Sequence, residues 1–310
     1  MEKKRSLGTR IVGGLLRLHG RLPLAYHHAL AKCIAWLLKD VFRYRNDVVL
    51  VNISRSFPEK TYEEIAAIRD RFYRHFARTV TEMVWFGACR GEKGRERLRR
   101  SHLVEITNPE ELNRLYANAP QLMVLQAHTG NWELIGGFRE YAYKERLILS
   151  PEAFAVTYIA QHSALLDAVM AENRTAPVAD LGFQGYVETS QVLRFVLERK
   201  DRKFGYSFIT DQFPYLSMGK KAEVEFMGRR TVTMTGGAAL ACRMDMAVAY
   251  LRFACREDGK GYEMTFVPIA EHAASMTPEA VMERYYQLLE EDLRAQPWNY
   301  LWTHKRWKQQ

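Results

Sequence analysis

The feature that most narrows the folds open to this chain is a repeated exchange of short apolar runs and helical patterns between residues 121 and 294. Runs of strand character stand at 121–126, 153–158, 204–210, 222–227, 248–255 and 262–268, with helical patterns at 132–144, 161–173, 186–200 and 236–244. Strands joined by helix-length connections predict an α/β fold with a mixed, mainly parallel central sheet flanked by helices. A last helix is expected over 278–294 behind a Thr277 cap, and Thr61-Tyr-Glu-Glu64 is a capping box that opens a long helix over 61–88. Residues 90–100 are so charged that they read as an exposed loop or helix end. The 310 residues contain no internal repeat, low-complexity tract or clear linker. One catalytic domain is therefore expected at 61–310, preceded by a basic helical region at 1–60.

Charge is concentrated in that region. Residues 1–46 carry Lys3, Lys4, Arg5, Arg10, Arg17, Arg21, Lys32, Lys39, Arg43 and Arg45 against only Glu2 and Asp40, so most of the +9 net charge lies there. Apolar residues at 30, 33, 34, 37, 38 and 41 form one helical stripe with Lys32 and Lys39 opposite. Arg17, Arg21 and Lys32 interrupt every apolar run, so no segment is long enough to span a bilayer, and no secretory signal is recognisable. Two readings stand: a basic amphipathic hairpin lying on an anionic membrane surface, or core helices with a solvated basic rim. The concentration of charge favours the membrane-associating appendage. Nucleic acid is not an expected partner, since no zinc spacing, basic-region heptad or aromatic RNA-binding pattern occurs. Cys33, Cys89, Cys242 and Cys255 form no C-x-x-C, so neither a metal site nor a disulfide scaffold is expected.

The chemistry is expected where the apolar run at 122–126 stops. His128 follows it, then a Gly-Asn turn, then a helical pattern opening with Trp132 and Glu133. Open α/β sheets place their chemistry at the carboxyl ends of strands. A histidine that acts as a base through one ring nitrogen needs a partner on the other, and Glu133 is near enough in sequence to serve. Spacing alone is weak, because His162 and Asp167 repeat it. Those two belong to a helical pattern, where five residues advance about 500° and put the side chains on different faces. The turn after His128 can instead fold Glu133 back to the ring, and the pair reads as an acyl-transfer site.

Three other features fit a site. Asp211-Gln212 ends the strand-like run at 204–210, although a turn-forming Asp is an equal reading. Thr235-Gly236-Gly237 opens a helix whose N–H groups can hold an anion, or whose glycines only allow close packing on the sheet. Arg174 ends the helical pattern 161–173, where it can complement the helix dipole or reach an anionic ligand.

Taken in order, His128-Thr-Gly-Asn-Trp-Glu133, Asp211-Gln212, Phe226-Met227-Gly228, Thr231-x-Thr233-x-Thr235-Gly236 and Trp302-Thr-His304-Lys-Arg-Trp307 resemble the bacterial lipid A late acyltransferase family. That family lies within the glycerolipid acyltransferase group marked by His-x4-Asp/Glu. The match extends back through Arg45, Asn52 and Phe57-Pro-Glu59. The resemblance implies transfer of an acyl group from an acyl carrier protein thioester, or acyl-CoA, to a hydroxyl of a lipid acceptor, foremost a lipid A precursor. The thioester is a co-substrate, and no bound cofactor or metal is implied. It further implies peripheral or monotopic work at the cytoplasmic face of the bacterial inner membrane. Carried over to these positions, His128 is the general base, Glu133 its orienting carboxylate, and Arg174 and Asp211 supporting pocket residues. Gly130, Asn131 and Thr235 are expected beside the substrate, with N–H groups at Gly130–Trp132 facing the developing oxyanion. The alternatives are acylation of another glycolipid or aminolipid, and a thioesterase or ester hydrolase using the same dyad.

Overall fold

The computed structural model describes residues 7–160, 163–183, 185–214 and 221–307. Lys3, Lys4, Arg5 and His162 lie outside the described residues, and with them part of the basic cluster and the His162–Asp167 spacing.

The chain opens with helices α1 (Leu7–Gly20), α2 (Leu24–Trp36, prolonged by a π turn at Leu37–Val41), α3 (Asn46–Ser56), α4 (Tyr62–Phe86) and α5 (Gly91–Ser101). Strand β1 (Val104–Ile106) and helix α6 (Pro109–Asn118) lead to β2 (Leu122–Gln126) and a 3-10 helix at Trp132–Tyr141. Next come β3 (Phe154–Tyr158), α7 (Ala164–Arg174), β4 (Tyr186–Glu188), α8 (Val192–Leu197) and β5 (Gly205–Ile209). A hairpin of β6 (Lys221–Phe226) and β7 (Arg229–Met234) precedes α9 (Gly236–Arg243), β8 (Ala247–Cys255), β9 (Tyr262–Ala270) and α10 (Pro278–Ala295).

Seven strands form one sheet in the order β1-β9-β8-β2-β5-β3-β4. Neighbours run parallel except β8 and β9. The expected mixed, mainly parallel sheet is therefore present. β2 sits at its middle and every one of its residues is buried, as a strand covered on both faces must be. Met123 and Leu125 point into the core beneath α10, with Tyr285 and Leu289, while Leu122 and Val124 point into a second core with Leu112 and Phe138.

Several elements depart from expectation. Residues 90–100 form α5, a helix held by ion pairs of Arg95 with Asp180 (2.6 Å) and Arg99 with Glu96 (2.9 Å), with Leu98 buried beneath. The pattern at 186–200 splits into β4, a 3-10 turn and α8. Residues 229–234, outside the strand-like runs of the sequence, are a strand that pairs with β6 apart from the main sheet. The connecting Met227 and Gly228 both have positive φ, 53° and 67°, the backbone a two-residue hairpin turn requires.

The amino-terminal helices lie on α4. The buried face of α2 is His27, Ala31 and Ala35, the alanines against Ala77, so of the stripe at 30, 33, 34, 37, 38 and 41 Ile34 and Leu38 pack at its margin, and the alanines allow the close helix approach. Cys33 and Val41 are exposed. Val49, Ile53 and Phe57 enter the main core, and Asn52 Nδ2 donates to the carbonyls of Trp302 (2.8 Å) and His304 (2.7 Å). Arg45 Nη1 donates to Thr303 O (2.8 Å), so this part of the first 60 residues clamps the carboxyl-terminal segment. Among the described residues no helix is long and apolar enough to cross a membrane.

Candidate active site

His128 and Asp211 occupy equivalent places on neighbouring parallel strands. Gln126 of β2 is the register partner of Ile209 of β5, and each chain runs two residues further before its functional side chain. The two side chains consequently meet: His128 Nδ1 donates to Asp211 Oδ1 at 2.8 Å. Asp211 is 1 % exposed, and its Oδ2 is buried without a hydrogen-bond partner. Burial pushes the Asp211 carboxyl up, but the charge and hydrogen bond of His128 outweigh it and hold the carboxyl below its usual range. With Nδ1 committed, Nε2 is left as the acceptor, and the Gln212 amide nitrogen lies 3.3 Å from it. The Trp132 ring packs edge-on against the imidazole with centroids 5.1 Å apart.

Glu133 is not the partner of His128. It stands in the first turn of the 3-10 helix and is turned to Arg174, whose Nε and Nη2 reach Oε2 and Oε1 at 2.5 and 2.6 Å. Trp132 Nε1 donates to the same carboxylate at 3.0 Å. The helix packs closely on the end of α7: a Cβ on Gly136 would stand 2.0 Å from Arg174 O. That contact fixes the last residue of α7 over the helix, where its guanidinium finds Glu133 as a bidentate, charge-matched partner. Of two carboxylates expected near the imidazole, Asp211 bonds it and Glu133 bonds Arg174.

The loop between strand and helix is braced from behind. Gly130 has φ +58°, and a Cβ there would lie 2.5 Å from the Phe253 ring. Its N–H donates to Asn299 Oδ1 (2.6 Å) and its carbonyl accepts from His75 Nε2 (2.9 Å). Asn131 is fully buried and donates to Glu82 Oε2 at 2.8 Å. Glu82 also bonds His28 Nε2, Arg78 Nε and the Tyr262 hydroxyl. Burial alone would raise the Glu82 carboxyl, but these partners bring it down to about 2, so it is an anion inside the protein. Gly130 and Asn131 therefore position the loop rather than face a substrate, and the Gly130 N–H expected for an oxyanion is already used. Sequence reasoning missed Glu82, His75 and Asn299, which lie on α4 and in the segment after α10, with no local motif to mark them.

His128 opens on a cavity of about 150 Å3, with Trp132, Ile135, Val156, Tyr186, Arg174 and Gln212 among its walls. Most of the lining residues are apolar or aromatic, and among the described residues Arg174 supplies the cation. Thr235, expected beside the substrate, is 2 % exposed and behind the wall, which Met234 forms in its place. Gly237 is close-packed, since a Cβ would lie 3.0 Å from Phe208, and it serves packing on the sheet, whereas a Cβ on Gly236 would meet nothing within 4 Å. Such a site can take a proton at Nε2 from a group held in the cavity, beside an apolar wall and one fixed positive charge.

Among proteins of curated function, none matches the chain. The family described as bacterial lipid A biosynthesis acyltransferase matches residues 2–309. The match includes every residue of the site, and the chain belongs to that family of O-acyltransferases.

Proposed function

We propose that the protein moves a fatty acyl group from an acyl carrier protein thioester to a hydroxyl of a lipid A precursor, with His128 as general base. The observation that carries this reading is the His128–Asp211 pair at 2.8 Å with Nε2 turned to a mainly apolar cavity. An alcohol is a weak nucleophile until its proton leaves. Nε2 accepts that proton as the oxygen attacks the thioester carbonyl; the C–O bond forms, the C–S bond breaks, and the imidazolium returns the proton to the departing thiolate. Asp211 fixes the tautomer and stabilises the imidazolium. No covalent enzyme intermediate is needed, because donor and acceptor can be held together.

Arg174 holds an anionic part of the substrate. Glu133 uses its Nε and Nη2, which leaves Nη1 for a ligand. The acceptor reaches the site from an anionic membrane surface at the cytoplasmic face. Ile11, Leu15 and Leu18 form an exposed apolar stripe on α1, each more than half exposed, with Arg10 and Arg21 also at the surface. The stripe is close to the site, because α1 is tied to α7 by Arg17–Glu172 (2.8 Å) and α7 ends in Arg174. Amphipathic helices with this composition bind at the headgroup boundary without spanning it.

Mass spectrometry of lipids from cells with and without the protein tests the reading. A lipid A species that loses one acyl chain in the deletion, restored by wild type and not by His128→Ala, is the expected result. Unchanged lipid A with an acyl group missing from another lipid overturns the proposed acceptor.

A further inference from the structure

We infer that the Ile135 side chain is the floor of the acyl pocket and sets the length of chain the enzyme accepts, an inference that rests on the acyl-transfer reading above. Ile135 lines two cavities. On one side is the space of about 150 Å3 that opens at His128; on the other is a small void of about 10 Å3 among buried core side chains. The void is bounded by Ile135 with Leu112, Val124, Phe138, Phe154 and other apolar residues, and no polar side chain reaches it. Two residues of β3 mark the direction. Val156 lines the pocket and Phe154 the void, both on one face of the strand and two positions apart, or about 6.6 Å. Ile135 is 4 % exposed and fills the gap between them.

The partition is made by the side chain, since the backbone beneath it is fixed. Gly136 is pressed against Arg174 O, and Tyr141 donates to Leu134 O at 2.8 Å, so both neighbours of Ile135 are held by close contacts. A cavity of 150 Å3 takes one benzene-sized group, or about six carbons of an acyl chain. A void near 10 Å3 lined by apolar groups stays dry and holds nothing by itself. Removing the three outer carbons of Ile135 joins the two spaces, and the floor then becomes Leu112, Phe138 and Phe154. A larger side chain raises the floor instead.

The test offers an equimolar series of saturated acyl carrier protein thioesters, from short to long chain, to wild type, Ile135→Ala, Ile135→Val and Ile135→Phe. The acceptor is a lipid A precursor in mixed micelles, and product chain lengths are read by mass spectrometry. Ile135→Ala is expected to favour chains about two to four carbons longer and Ile135→Phe shorter ones. The ratio of long to short product should change by at least about tenfold, the discrimination that one or two methylenes allow in an apolar pocket. If Ile135→Ala does not fold, Ile135→Phe against Ile135→Val makes the same comparison. The same length profile in active wild type and active variants overturns the floor. A wild type that transfers no acyl group from any member of the series overturns the acyl-transfer reading, and this inference with it.

Discussion

His128 and Asp211 stand at the same height on adjacent parallel strands, each two residues beyond a pair of register partners, Gln126 and Ile209. Parallel strands side by side bring residues at equal offsets together, so the 2.8 Å contact follows from sheet register rather than from sequence proximity. Asp211 approaches Nδ1 from the β5 side and leaves Nε2 facing the cavity. Glu133, five residues from His128 along the chain, is carried by its helix to Arg174 instead. One site thus holds two carboxylates with separate partners.

Gly130→Ala should lower turnover by at least about 10²-fold in a protein that still folds, because small displacements of a catalytic group cost rate steeply. The position combines φ +58° with a Phe253 ring where the new methyl would go. The strained backbone costs about 1–3 kcal/mol, and relief must come through movement of the loop that carries His128. Turnover in an acyl-transfer assay, beside thermal unfolding, checks this; wild-type turnover would show that the loop tolerates the shift.

Glu133 and Arg174 should prove strongly coupled in stability. Glu133 is buried and Arg174 largely so, and removing one partner leaves a poorly solvated charge without compensation, at up to about 3–5 kcal/mol. Glu133→Gln and Arg174→Met should each destabilise by that order, while the double variant should lose less than the two together by about 1–3 kcal/mol. A double-mutant cycle by denaturant unfolding reads the coupling, and simple additivity would contradict the pairing.

Stability should fall between pH 6.5 and about 4. Burial lowers His75 from 6.5 to about 4 in the fold, against the raising effect of Glu82. His27 is brought to about 4 by burial and by His19. The unfolded chain therefore binds more protons in this window, stability rises with pH through it, and each group's contribution is complete above 6.5 and lost as pH falls toward 4. For His75 the full span is on the order of 3 kcal/mol. Neutral His75 donates from Nε2 to Gly130 O and accepts at Nδ1 from the Cys255 thiol, which burial keeps protonated. Gln at position 75 retains the donor, so His75→Gln should flatten the pH dependence of unfolding by roughly half. An unaltered slope would assign it elsewhere.

Binding to anionic vesicles should depend on the α1 stripe. Each buried aliphatic side chain contributes about 1.5–3 kcal/mol, so Leu15→Ser with Leu18→Ser should weaken vesicle binding by at least about 10²-fold. Activity on a soluble acceptor analogue should be retained. Vesicle sedimentation that is indifferent to the change would point to another surface.

Much of the architecture was legible because it is local. Six strand-like runs became strands, and the Thr61 capping box is present, with Glu64 N donating to Thr61 Oγ1 and Thr61 N to Glu64 Oε2. The misreadings have physical causes. The charge of residues 90–100 suggested exposure, but an amphipathic helix buries Leu98 while its arginines form ion pairs. β7 is rich in Thr and Arg, and only pairing with β6 shows it to be a strand. His128 and Arg174 were visible from strand and helix ends. The exchange of roles between Glu133 and Asp211 was not, since it depends on which strand lies beside β2, and no local pattern of residues encodes that. The same holds for Asn299 and Glu82, which reach Gly130 and Asn131 from 169 and 49 residues away.

Turnover of His128→Ala, Asp211→Asn and Glu133→Gln, side by side in reconstituted acyl transfer to a lipid A precursor, decides most directly which groups carry the chemistry. His128→Ala and Asp211→Asn should each lose about 10²–10⁴ in kcat, since one removes the base and the other its tautomer control. Glu133→Gln should act mainly by raising KM for the acceptor, through a loosened Arg174. A near-normal kcat for Asp211→Asn, with kcat collapsing in Glu133→Gln, would contradict the pairing and return the orienting role to Glu133.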